Sequence, residues 1–220
     1  MNSSLQIAFA ASALAWMAGS LFGKAGKEVA PKEVLAVSLY NEAKVNPGTL
    51  RWAIVEADRL FQAAGIQLNW QFPAEAQLTG RIDGAVHAQT NDGRYIVMRL
   101  IRQAPATASP DAAGLARPFA QTGVNVSVFF DRLELLAHSV NAAIYIILGH
   151  VMAHEIGHVL LHSTEHSANG LMQAQLGPAS WRQASAGLLA FRHQEAQRMY
   201  QGLRSHRSTA SNRLHRPLDK

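Results

Sequence analysis

The 220-residue chain contains no cysteine. That absence excludes disulfide frameworks, thiolate metal sites, iron–sulfur clusters and cysteine nucleophiles, and it leaves any metal to histidine, aspartate or glutamate. Charge is also sparse. Only 16% of residues are Asp, Glu, Lys or Arg against 48% hydrophobic, a balance that supports a buried core and excludes a disordered chain. The net charge of +5 is concentrated at one end, because residues 204–220 carry Arg204, Arg207, Arg213, Arg216 and Lys220 against Asp219 alone. The body is therefore close to neutral and offers no basic face. Aromatics make up 7% of the chain and none follows Tyr200, so the basic tail has no rings on which bases would stack, and no nucleic-acid partner is expected. No internal repeat is visible.

Residues 5–22 lack charge and are rich in Ala and Leu. A run of that length reads as a signal peptide or membrane anchor over residues 1–29, placing the protein outside the cytoplasm or on a membrane. Lys24, Lys27 and Lys32 follow the run and argue for the opposite orientation, and a packed N-terminal helix is the alternative. Residues 30–203 then form the folded domain, and residues 204–220 a basic, disordered tail.

Within the domain, residues 34–40 (VLAVSLY) favour a strand, and Asn46-Pro47 supplies a cap and a first-turn proline for a helix that runs to about Ala64, with Gly65 as its stop. Residues 66–72 are the next strand. Strand, helix and strand within this span make a βαβ unit with parallel strands. Residues 85–89, 94–101 and 124–130 read as further strands, and residues 103–123 as an irregular loop long enough to serve a function. Residues 139–161 form the most apolar stretch of the body. His150, His154, Glu155 and His158 lie inside it, which argues for a helix buried in protein, with its polar members facing a site, and against a membrane span. A last helix is expected over residues 179–203.

His154-Glu155-Ile156-Gly157-His158 matches H-E-x-x-H on that apolar helix. Residues four apart lie one turn apart on one face, about 6 Å along the axis, so two imidazoles can converge on one ion. Glu155 projects beside that face and reaches a water in an open coordination position. The chemistry this suggests is hydrolysis by a zinc-bound water activated by Glu155, with the metal polarising the scissile carbonyl. A third ligand must come from beyond the helix, because positions eight apart on a straight helix stand about 12 Å apart. Its candidates are His162, Glu165, His166, His193 and Glu195. His166 is favoured, since the eight residues after His158 give the chain room to leave the helix and fold back. His150 reads as a packed histidine of the same helix.

These residues resemble the metzincin clan of zinc endopeptidases, and specifically short bacterial matrixin-like proteins with a stretched motif. The clan pattern is H-E-x-x-H-x-x-G-x-x-H followed by a Met-turn. Here the run is HEIGHVLLHSTEHSANGLM, with Leu161 at the glycine position and Thr164 at the third histidine position. A segment two residues longer restores the spacing, with His162 at the turn and His166 as ligand. The resemblance implies an α+β, metzincin-like (zincin) fold: a twisted mixed sheet with a long helix, a central active-site helix and a C-terminal helix. It further implies one catalytic Zn2+ and Met172 in a Met-turn beneath the imidazoles. An extended peptide or protein substrate would add to an antiparallel edge strand, either that near residues 94–101 or the one after it. A monomer is expected. The departures at Leu161 and Thr164 raise an alternative, a catalytically silent metal- or peptide-binding module on the same fold.

Overall fold

The computed structural model describes residues 32–73, 94–120 and 123–214, with backbone alone for 206–214. Five strands and five helices follow in the order β1 (Glu33–Asn41), α1 (Pro47–Ala63), β2 (Ile66–Gln71), β3 (Tyr95–Ile101), β4 (Gly114–Ala116), β5 (Val126–Phe129), α2 (Phe130–Val140), α3 (Ile144–Leu161), α4 (Pro178–Ser185) and α5 (His193–Leu214). The sheet order is β2-β1-β3-β5-β4. Every pair is parallel except β4 with β5. The protein is thus a mixed α+β fold on a mostly parallel sheet.

Alternation along the strands selects the core face. Leu35 and Leu68 are register partners, as are Val37 and Ile96, Leu39 and Met98, Met98 and Val126, and Leu100 and Val128. All of them belong to one buried cluster with residues of α1 and α3. Each such side chain withdrawn from water contributes about 1.5–3 kcal/mol before the chain-ordering cost. The intervening positions are mixed, with Val97 and Phe129 buried as well; among the polar ones Ser38 Oγ meets Tyr95 Oη at 2.5 Å, and Arg99 pairs with Glu42.

The punctuation read for α1 acts as expected. Asn46 Oδ1 accepts the Gly48 N–H at 2.9 Å, Pro47 opens the helix, and Gly65 leaves it at φ +77°. The buried side of α1 includes Ala53 and Ala57, and α3 crosses it closely. A Cβ on Gly149 would stand 2.7 Å from the Ala53 carbonyl oxygen, so glycine permits the approach. By length and composition α3 would pass for a membrane span, yet 67% of it is buried within the fold.

Several expectations are corrected. The antiparallel edge is neither residues 94–101 nor residues 124–130: β3 is an interior strand, and β5 lies between β3 and β4. The edge is β4, three residues inside the segment read as an irregular loop. Small residues carry little strand preference there, and pairing with β5 supplies the order. Helix α2 starts directly at the end of β5 without a turn residue between them, and Asn141 at φ 50° separates α2 from α3. The expected single C-terminal helix is two, because Gly187 at φ +72° breaks it after α4. The backbone of α5 stays helical to Leu214, beyond the start of the segment read as a disordered tail. Residues 1–29 and 85–89 lie outside the described residues.

Candidate metal centre

Helix α3 carries His154 and His158 one turn apart, and a backbone carbonyl fixes each ring. Nδ1 of His154 lies 2.9 Å from the Leu171 carbonyl oxygen, and Nδ1 of His158 lies 2.8 Å from that of Ser163. A carbonyl only accepts, so each Nδ1 carries the proton and each Nε2 presents a lone pair. These Nε2 atoms are 3.0 Å apart, and Nε2 of His166 is 3.3 Å from that of His158.

The chain reaches His166 by a tight reversal. His162 caps α3 in the left-handed conformation at φ 49°, and the Ser163 N–H donates to the His158 carbonyl at 3.2 Å. Histidine is among the side chains that tolerate such a φ better than most. The chain thereby leaves the axis of α3 at His162 and Ser163. The His166 ring returns to stack on His154, with centroids 5.4 Å apart, and meets His158 edge-on.

His154, His158 and His166 form a group whose ligand atoms all lie within 4.8 Å of one another, the one group among the described residues that could hold a metal ion. Tetrahedral Zn–N bonds of about 2.0–2.1 Å put ligand nitrogens roughly 3.3 Å apart, so the donor set fits one such ion. His162, Glu165 and His193 are exposed and outside this group. Glu195 is buried but its carboxylate is engaged by Ser167 and Arg192.

Met172 lies where the turn after His166 meets α3. It is buried, and a Cβ on Gly157 would stand 2.7 Å from its Sδ. The turn is held by Ser167 N–H to the Met172 carbonyl (2.7 Å) and Leu171 N–H to the Ala190 carbonyl (2.8 Å), with Gly170 at φ +78°. The carbonyl that orients His154 therefore belongs to the residue beside Met172.

Glu155 is 8% exposed and sits against β4. Burial pushes its carboxyl up to about 8, and a hydrogen bond from the Ala116 backbone opposes the shift. Burial likewise lowers His154 to about 4, with His158 and His166 adding in the same direction, and it lowers His158. A site that disfavours protonated imidazoles keeps their lone pairs available to a cation. His150, fully buried, directs Nδ1 to the Ile146 carbonyl at 2.9 Å and meets Trp181 edge-on.

A cleft of about 730 Å³ opens over these groups. It is bounded by Gly114, Leu115 and Ala116 of β4, by the three histidines and Glu155, and by an apolar wall that includes Leu136, Val151 and Trp181. Sequence reasoning missed β4 and the Ser163 and Leu171 carbonyls. Only Gly114, a lone glycine between alanines and Leu115, hinted at a close approach.

No protein-family model matches the chain, and no curated protein matches it. Among solved structures, archaemetzincin from Methanopyrus kandleri is similar to it, with a TM-score of 0.50 over 82% of this chain and 99% of that one. Sequence identity is 14%. At that identity the likeness shows the fold alone: this chain is built like that structure, with three histidines that could hold a metal ion on and just beyond its central helix.

Proposed function

We propose that the protein is a zinc-dependent endopeptidase, with His154, His158 and His166 as ligands, Glu155 as general base and Met172 as the apolar floor. The observation that carries this reading is the convergence of three imidazole Nε2 atoms beside a buried glutamate, at the edge of an open cleft. Zinc bound there would polarise a peptide carbonyl and acidify a water molecule.

The chain's own residues supply the rest. Glu155 takes the proton from the attacking water and passes it to the leaving amine nitrogen; burial raises its carboxyl in the metal-free site, and a cation held by the three imidazoles would draw it back toward the carboxylate that a base requires. Strand β4 pairs with β5 along one side and borders the cleft, so its backbone is available to an extended peptide laid antiparallel or parallel to it. Its hydrogen bond to Glu155 ties substrate alignment to the base. The motif departures that suggested a silent module are accommodated by the left-handed turn at His162, which brings His166 back to the other two rings.

The test is hydrolysis of a quenched-fluorescence library of extended peptides by the full chain. Cleavage should disappear with a zinc chelator, return with added zinc, and be absent in Glu155→Ala that still binds zinc. Zinc-loaded protein that cleaves none of the library would favour the silent module.

A further inference from the structure

The three histidines are not held alike. His154 and His158 ride on α3 and each has its Nδ1 pinned by a carbonyl. His166 is exposed, lies in the turn, and among the described residues no hydrogen bond holds its Nδ1. Its placement therefore depends on the backbone next to it.

That backbone belongs to Ser167, which is anchored at both ends. Its N–H donates to the Met172 carbonyl at 2.7 Å, and its Oγ donates to Glu195 Oε1 at 2.5 Å. Glu195 stands in the first turn of α5 and is 3% exposed. Arg192 completes the cluster: its Nε donates to Glu195 Oε1 at 2.9 Å, its backbone N–H to Oε2 at 2.8 Å, and its Nη2 to Ser167 Oγ at 2.7 Å. Taking a carboxylate out of water is costly unless donors replace its hydration, and here the donors come from Arg192 and from the hydroxyl beside His166. Removing the carboxylate takes away the acceptor of the Ser167 hydroxyl and the partner of Arg192; removing the hydroxyl takes away the side-chain tie between the turn and α5, while the Ser167 N–H bond to Met172 and the pairing of Glu195 with Arg192 remain.

We infer that Glu195 and Ser167 are positioning residues for the third imidazole: the buried carboxylate on α5 fixes Ser167 and thereby sets His166 against His154 and His158. This rests on the metal-site reading above.

The test measures zinc affinity of the full chain by competition with a chromophoric chelator, for wild type, Ser167→Ala, Glu195→Ala and Glu195→Gln. Metal-free thermal midpoints and the absorption bands of the cobalt(II)-loaded proteins are recorded alongside. Partners that orient metal ligands typically cost about 10–100-fold in metal affinity when removed. Ser167→Ala and Glu195→Ala should each lose affinity in that range and alter the cobalt bands. The metal-free midpoint of Ser167→Ala should stay within a few degrees of wild type. Glu195→Gln keeps an oxygen for the Ser167 hydroxyl and should recover part of the loss. Variants that bind zinc like wild type, or whose affinity falls only with metal-free stability while the cobalt bands stay unchanged, would overturn the inference. A wild type that binds no zinc would instead refute the metal site itself, and the positioning role with it.

Discussion

Gly114 and Glu155 approach more closely than any other residue at position 114 would permit. A Cβ there would lie 2.8 Å from both Cγ and Oε1 of Glu155, inside the closest contact that real side chains make. The edge strand and Glu155 are thus fitted to one another through a missing side chain, and the fit sets where the carboxylate stands relative to the imidazoles.

Gly114→Ala should therefore displace Glu155 or lift β4. Misplacement of a reacting group by about 1 Å can cost about 100-fold in rate. Peptidase activity should fall by roughly that factor while zinc binding is retained, measured as kcat/KM against metal content. Full activity in Gly114→Ala would show that the carboxylate's position does not matter.

Replacing Glu155 by Gln should keep the side chain's volume and remove the base. General-base removal typically costs about 10²–10⁴-fold, so hydrolysis should drop within that range with zinc still bound at the wild-type level. A Glu155→Gln protein with wild-type turnover would contradict the assigned role.

Gly149→Ala should destabilise the protein, although alanine in a helix interior ordinarily gains about 1 kcal/mol over glycine. The new Cβ would meet the Ala53 carbonyl oxygen at 2.7 Å and Glu56 Cβ at 2.8 Å, and overpacking of that kind costs about 1–3 kcal/mol. The thermal midpoint should fall by several degrees. A rise would mean that α1 and α3 separate easily.

The metal-free protein should be most stable near pH 6.5–7. Burial lowers His150, His154 and His158 from 6.5, with His154 at about 4, so the unfolded chain binds more protons than the fold as pH drops below about 6.5 and stability is lost on that side. Burial raises Glu155 from 4.5 to about 8, so the fold holds a proton that the unfolded chain has released, and stability declines gently as pH rises toward 8. Urea unfolding across pH 5–9 checks this. Three groups act on the acid side and one on the alkaline side, so the acid limb should be steeper. A profile flat from pH 7 to 5 would contradict the buried, neutral state of these histidines.

Local punctuation carried much of this fold. Asn46-Pro47 and Gly65 delimit α1 by capping and φ preference, and H-E-x-x-H places two imidazoles on one helical face because its spacing matches the helix repeat. What stayed hidden depends on distant partners. Strand β4 has only Gly114, Leu115 and Ala116 and owes its order to β5, and α2 follows Phe129 without a turn residue to announce it. The bond between Ser167 and Glu195 spans 28 positions and leaves no periodic trace. His166 was reachable by chain length, but its place against His154 is set by the left-handed backbone at His162 and by the turn that carries Ser167.

The most direct measurement is the zinc content of the purified full chain, by elemental analysis, for wild type and His166→Ala after dialysis against a weak chelator. One zinc per wild-type chain, lost in the variant, is the predicted result, since two imidazoles alone do not complete a catalytic zinc site. Wild-type protein without zinc, or a His166→Ala variant that retains it fully, would contradict the three-histidine centre.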